Sequence, residues 1–264
     1  ISLILLATGV FGFFISIDLF TMFLFYELAV IPMYLLIGIW GTGPKDYSAM
    51  KLTLMLMGGS AFILVGLLGL YFNSNPTGGM LTFNILEISK ISMPMTAQRI
   101  FFPLTFVGFG VLGALFPFHT WSPDGHASAP TAVSMLHAGV LMKLGGYGAF
   151  RVAIFLMPQA AQGWMQILAW LCLGNILYVG WVAMRQRDLN LLIGNSSVAH
   201  MGFIFLGIAS LNLIGVTGAV VIMIAHGFLA ALTFGLSGFI YNQTGTLEMS
   251  ELGGLAKKLR FIGV

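Results

Sequence analysis

Two charged residues stand inside long apolar runs. Glu27 lies in Phe25-Tyr26-Glu27-Leu28-Ala29-Val30-Ile31-Pro32 and Lys143 in Leu141-Met142-Lys143-Leu144-Gly145-Gly146. A charge at the centre of a bilayer costs about 2.5–3.5 kcal/mol on insertion scales, so such residues usually face a bundle interior, pair with a partner and mark ion or proton pathways. His137 shares the run of Lys143, and His200 and His226 lie in two further runs. Imidazole titrates near neutrality and passes a proton on at small cost. The plainer alternatives are a structural Glu–Lys pair that locks two helices and hydrogen-bonded core histidines. Three histidines with a Glu and a Lys point instead to a proton relay. A metal site has weaker support, because no two of these histidines are spaced i, i+3 or i, i+4 and no Cys or acid lies beside them.

Lys51 stands near the start of another apolar run. It reads as a side chain that snorkels to the interface, as a proton entry point, or as a partner of Glu27. A nearby cation favours a charged carboxylate and burial opposes it, so proton occupancy at Glu27 depends on which cation is close. A last signal is Phe116-Pro117-Phe118-His119-Thr120-Trp121-Ser122-Pro123-Asp124-Gly125-His126-Ala127-Ser128-Ala129-Pro130. Pro117 removes a helix hydrogen bond, Pro130 suits a first helical turn, and Gly108, Gly110 and Gly113 loosen what precedes. The stretch reads as a broken helix of the kind that exposes backbone groups at transport sites, or as a loop capped at both ends.

The elements that position these residues are dictated by solvent. Only 7% of the 264 residues are charged and 58% are hydrophobic, with a mean hydropathy of +0.98. Soluble domains carry about 25% charge, so lipid must solvate much of this chain. In lipid only helices and closed barrels satisfy their own backbone, and long runs without strand-like alternation select helices. Eight segments near the ~20 residues of a bilayer crossing are expected, over residues 1–17, 19–40, 48–72, 100–117, 129–157, 163–184, 190–210 and 213–241. The fold class is therefore an all-α membrane protein of about eight transmembrane helices, read as one domain over 1–264. The long connection 73–99 contains Leu81-Thr82-Phe83-Asn84-Ile85, a short strand or an interfacial turn. Trp40, Trp121 and Trp164 fall near segment ends and suit an interfacial belt.

Alternating crossings put Lys45, Arg185, Arg187, Lys257, Lys258 and Arg260 on one side and Lys90 and Arg99 on the other. The first side is expected to be cytoplasmic, or the matrix or stroma of an organelle. The formal net charge of +3 gives nucleic-acid binding no support, and Cys172 alone supports neither a disulfide framework nor a metal cluster. There is no P-loop and no nucleophile–His–acid set. The chain opens at Ile1, with no Met and no charged leader, and stops at Val264 behind a basic cluster; the expectation is a piece of a longer chain.

These residues resemble the proton-pumping, antiporter-like membrane subunits of respiratory NADH:quinone oxidoreductase (complex I), in particular the chain M type, whose mitochondrial counterpart is subunit 4. The matching stretches are Tyr26-Glu27-Leu28 with Ile31-Pro32-Met33-Tyr34, then Phe116 to Pro130, then Ala138 to Gly148, then Ser196-Ser197-Val198-Ala199-His200-Met201-Gly202-Phe203, and Gly253-Gly254-Leu255-Ala256-Lys257-Lys258. The resemblance implies a fold of about fourteen helices with two inverted repeats of five, each with a broken helix, of which this chain supplies helices four to eleven. It makes Glu27 the helix-five glutamate and Lys143 the helix-eight lysine. It matches His200 and His226 to histidines of the central polar axis. Two positions depart from the pattern. The helix-seven lysine expected seven residues before His119 is Leu112, and His137 stands where chain M is usually apolar and the sister chains L and N carry histidine. The exit-gate residue of helix twelve falls beyond Val264.

The function so implied is proton translocation along Glu27, Lys51, His137, Lys143, His200 and His226, with Lys51 or His137 supplying the partner lost at Leu112. No cofactor is expected in this chain. NADH, FMN, iron–sulfur clusters and quinone belong to partner subunits, and the partners are other membrane-arm subunits, including sister antiporter-like ones, together with the lipid bilayer. The setting is a bacterial inner (plasma) membrane, or otherwise an organelle inner membrane. Two rivals remain: a subunit of a multisubunit Mrp-type cation/proton antiporter, and a non-conducting spacer in the membrane arm.

Overall fold

The computed structural model describes residues 1–75 and 80–255. Its helices begin and end where polar caps and prolines interrupt the apolar sequence. α1 (Ser2–Ile15) stops at Ser16, whose hydroxyl donates to the Gly12 carbonyl at 2.6 Å. α2 (Leu19–Trp40) starts behind Asp18, whose carboxylate accepts from Thr21 N–H at 2.8 Å and fills one of the orphan donors of a first turn. α3 (Lys45–Phe72) follows Pro44 and carries Asp46 in its first turn, where the helix dipole favours an anion. A short α4 (Ile85–Ile88) is capped by Asn84. α5 (Met95–Leu112) is followed by an irregular turn and then by α6 (Trp121–Ser128).

After Pro130 the chain runs through α7 (Thr131–Leu136), a π-helical stretch His137–Leu141, α8 (Met142–Gly148) and a second π stretch Ala149–Ile154. α9 (Pro158–Leu173), a third π stretch Gly174–Val179 and α10 (Gly180–Met184) follow. α11 (Leu189–Ala209) is capped by Asp188, and α12 (Leu213–Thr244) is capped by Asn212 and ends at Gly245 with φ 75°, the left-handed conformation glycine adopts without penalty.

Six stretches are long and apolar enough to cross a bilayer: Leu19–Trp40, Lys45–Phe72, Met95–Leu112, Pro158–Met184, Leu189–Ala209 and Leu213–Thr244. The shorter α1 and the α7–α8 run make the count of about eight. Among the described residues no strand forms.

The limits differ from the expected ones where local chemistry overrides hydropathy. The segment expected at 100–117 begins at Met95, behind Pro94, and ends at Leu112. There the chain turns through Ala114 (φ 54°), and Leu115 N–H reaches back to Gly110 O at 2.8 Å. The segment expected from 163 starts at Pro158, since proline fits a first helical position. The segment expected from 48 starts at Lys45, and the last one runs on to Thr244. The segment expected at 129–157 is not a regular helix but carries two π stretches. The 81–85 tract is neither a strand nor a simple turn. It makes one antiparallel bridge, Asp18 to Asn84, and passes directly into α4.

The bridge at Asp18 lies at one end of the bundle. At the other end Thr42 N–H donates to Ser128 O at 2.8 Å and Leu189 N–H to Leu247 O at 3.0 Å. Lys45, Arg185 and Arg187 belong to this second end. Lys90 and Arg99 belong to the first, where Gln98 Oε1 accepts from Ala160 N–H. Lys257, Lys258 and Arg260, assigned to the basic side, lie outside the described residues, as does the end of the Gly253–Lys258 motif.

The glycines of α5 tighten the core rather than loosen it. A Cβ on Gly108 would stand 2.7 Å from Gly59 O of α3, and one on Gly145 would stand 2.3 Å from Gly113 N. Main chain meets main chain at both places, and small residues at such crossings are how helices pack closely in lipid. Gly145→Ala is therefore expected to destabilise the bundle by about 1–3 kcal/mol through overpacking. Gly58→Ala, with nothing within 4 Å, is expected to be neutral. Thermal midpoints in detergent measure both; equal midpoints would refute the assignment of this crossing.

Candidate functional site

Lys143, His226 and His200 form a continuous polar line through the bundle. Lys143 is 3% exposed and His226 4%. The Lys143 Nζ lies 2.5 Å from His226 Nδ1 and also donates to the Ala138 carbonyl. Two features of the backbone allow this. In the π stretch Met142 N–H bonds His137 O instead of Ala138 O, its α-helical acceptor, and Ala138 O takes the ammonium. Gly139 and Gly227 then let α12 approach: a Cβ on Gly227 would stand 3.0 Å from Gly139 O. The His226 and His200 rings stack with centroids 4.9 Å apart. His200 Nδ1 bonds Ser196 O at 2.8 Å. A carbonyl only accepts, so Nδ1 holds the proton and Nε2 is left to take another. A cavity of about 130 Å³ bordered by Ser196, His200, His226 and Thr233 adjoins this end of the line.

His137 lies apart from the order expected for it. It is fully buried, stacked on Trp121 at 5.4 Å and facing His126 at 4.2 Å. Neither of its ring nitrogens has a protein partner. His126 Nε2 lies 3.4 Å from Met142 Sδ, and its Nδ1 is without a partner. In the sequence His126 stands only within the broken stretch at the membrane edge, with no role of its own. The overlooked signal is the nine residues between Thr120 and Pro130, of which Trp121–Ser128 make two helical turns with Trp121, Ser122, Gly125 and His126 on one face. Trp121 is likewise no interfacial residue: it is fully buried and donates to Val111 O at 3.1 Å.

Lys51 does not serve Glu27. Its Nζ is 2.7 Å from Asp124 Oδ2, the one ion pair among the described residues. One turn away Ser48 and Ser128 bond through their hydroxyls at 2.7 Å. Glu27 sits on α2 with Oε1 buried and without a protein partner, and Leu112 is fully buried in the core. The Glu27–Lys143 pair considered from sequence does not form, because Lys143 is committed to His226 and Ala138. Among the described residues no group of three or more His, Cys, Asp or Glu side chains is placed to hold a metal ion.

The break between α5 and α6 is held from outside. Asn175, fully buried on the third π stretch, donates to Ala114 O and Val198 O, both at 3.0 Å, and accepts from Phe116 N–H. Its amide thus satisfies backbone groups that neither helix can, the condition for irregular chain at membrane depth.

A helical membrane bundle with broken helices and a buried lysine–histidine line is the architecture of ion- and proton-translocating membrane subunits. The family described as "NADH:quinone oxidoreductase/Mrp antiporter, TM" matches residues 16–264, and the chain belongs to it. It is 39% identical over 257 residues to NAD(P)H-quinone oxidoreductase chain 4 2 of Microcystis aeruginosa, covering 97% of this chain and 46% of the relative. It is also 39% identical over 248 residues to NADH-quinone oxidoreductase subunit M of Rickettsia prowazekii, covering 94% and 50%. Its fold superposes with a TM-score of 0.90 on a chain of respiratory complex I from Thermus thermophilus, at 28% identity, covering 97% of this chain and 54% of that one. The chain thus spans about half the length of the curated relatives it matches.

Replacing Asn175 by Leu removes two donors and an acceptor from buried backbone groups. It is expected to cost about 1–3 kcal/mol for each group left unpaired and to expose residues 113–120 to protease in detergent. Unchanged proteolysis and melting would show that the break is held by other contacts.

Proposed function

We propose that the chain is a proton-translocating membrane subunit of a complex I-type NADH:quinone oxidoreductase. Electron transfer takes place in partner subunits, which hold the NADH, FMN, iron–sulfur and quinone sites, and other membrane-arm subunits flank this one. The reading places it in a bacterial plasma membrane. The observation that carries it is the buried Lys143–His226–His200 line. Lys143 Nζ is held only by a carbonyl and an imidazole, so a proton that arrives or leaves changes the field on both histidines. A carrier of this kind responds to electrostatic change in a neighbouring subunit, which is what coupling to distant chemistry demands.

The line proceeds from Lys143 to His226 and His200, with His137 on a separate branch beside His126. Glu27 and Lys51 belong to the polar interior, but their joint role as a switching pair has no geometric support. The same family includes Mrp-type antiporters; the relatives named quinone oxidoreductases favour the redox-linked reading. Recovery of the native complex with iron–sulfur subunits distinguishes this reading from sodium-dependent proton flux without them.

In the whole complex reconstituted into vesicles, Lys143→Met is expected to slow proton transfer through this subunit by on the order of a hundredfold, the scale of a lost acid–base group, and to lower the protons moved per quinone reduced. His200→Ala is expected to lower the ratio in the same direction. Full stoichiometry in Lys143→Met would overturn the reading and favour a spacer.

A further inference from the structure

We propose that Arg151 binds the phosphodiester of a membrane phospholipid at the end of the bundle opposite the basic one. The site lies apart from the buried lysine–histidine line and does not depend on which ion that line carries.

Along the run from Leu141 to Met157 only Tyr147, Phe150, Arg151 and Phe155 are not buried. Spaced i, i+3, i+4 and i+8, they form one stripe on the helical surface. Three are aromatic and one is charged. Phe155 is 41% exposed, so the stripe faces what surrounds the bundle. Two contacts fix its depth. Tyr147 Oη donates to Phe14 O at 3.2 Å, in the last turn of α1. Arg151 stands one turn beyond Tyr147 and about 10 Å of helix short of Pro158. Pro158 opens α9 at the end where Gln98 meets Ala160. Arg151 is therefore placed just beneath the headgroups rather than at the middle of the bilayer.

The protein leaves the Arg151 guanidinium unanswered. Its Nε is buried without a hydrogen-bond partner. No carboxylate among the described residues pairs with it, since the one ion pair is Lys51–Asp124. The group lies instead over the Phe155 ring, with Cζ 5.4 Å from the centroid. A ring face attracts the cation and holds the planar fork in one orientation, but it leaves the N–H donors without an oxygen. A charged side chain at the border of the lipid tails needs an anion. Aromatic side chains flank this one on both sides along the stripe, so what reaches it is lipid rather than bulk water. The anion that lipid carries is the phosphodiester, and the guanidinium edge matches two of its oxygens with two parallel donors. The acyl chains then run past Tyr147 towards the bilayer centre, and α1, which Tyr147 joins, exposes Phe11 and Ile15. A lysine in the same place would meet the phosphate as a point charge, without the matched fork.

The test uses the native complex in nanodiscs that hold a phosphatidylglycerol with a photoreactive group near its acyl carbonyl, and the cross-linked residues are mapped by mass spectrometry. Label is expected on the stripe from Tyr147 to Phe155. Arg151→Gln is expected to lower it by about tenfold, the scale of one lost charge-assisted hydrogen bond, and Arg151→Lys to lower it less. Unlabelled phosphatidylglycerol is expected to displace the label, and neither diacylglycerol with the same chains nor inorganic phosphate is expected to do so. Equal label in Arg151→Gln, or displacement by diacylglycerol, would mark an ordinary lipid annulus and overturn the site. Displacement by inorganic phosphate would mark a free-anion site and overturn the lipid. An unlabelled stripe in the wild-type complex would mean that a neighbouring subunit covers Arg151, and overturns the proposal as well. Should Arg151→Gln fail to assemble, the displacement series on the wild-type complex decides alone.

Discussion

A lysine buried in a bilayer protein needs acceptors, and meeting that need organises the middle of this molecule. Lys143 has no carboxylate beside it. Its acceptors are a backbone carbonyl on its own helix and the ring of His226 on another. The first is made accessible by a π turn, the second by paired glycines that bring α12 within backbone contact. Irregular helix is costly in lipid because every main-chain group must be satisfied within the protein. The three π stretches and the α5–α6 break stand where other segments pack over them, and Asn175 shows how one side chain supplies the missing partners.

That arrangement separates two kinds of polar contact. Lys143 is joined to His226 by a direct bond, and His226 to His200 by a ring stack. Lys51 and Asp124 are joined to each other, partly exposed, at the mouth of a cavity. Such a pair contributes little to stability where solvent reaches it, but together with the Ser48–Ser128 and Thr42–Ser128 bonds it fixes a short helix on that side.

Much of the fold was legible in the sequence because hydropathy is a local property. The apolar runs and the polar stretches between them each announce themselves within a few residues. So did the depth of Lys143, His200 and His226. The partnerships were not legible, because they join residues 83 apart in the case of Lys143 and His226 and 73 apart for Lys51 and Asp124. Periodicity also misleads where the helix changes pitch: the run through His137 to Gly148 scans as one apolar helix, while its π register sets which side chains face inward. Prolines concealed the extent of α6, since the stretch from Pro117 to Pro130 read as a break or a capped loop, yet Pro123 lies in the first turn of a helix, where its missing N–H costs nothing.

Leu112 gives these observations their sharpest consequence. The resemblance implies a lysine at this position, paired with a glutamate at the place of Glu27. Here the position is a fully buried leucine, Glu27 Oε1 has no protein partner, and Lys51 is held by Asp124. Glu27 thus lacks, among the described residues, the cationic partner that the resemblance implies for it. The same chain gains an imidazole at His137, against His126, on the side of the bundle that borders the basic-end cavity. Lys143 and His226 keep a direct bond, and His226 and His200 a ring stack, although neither Glu27 nor Lys51 is joined to them.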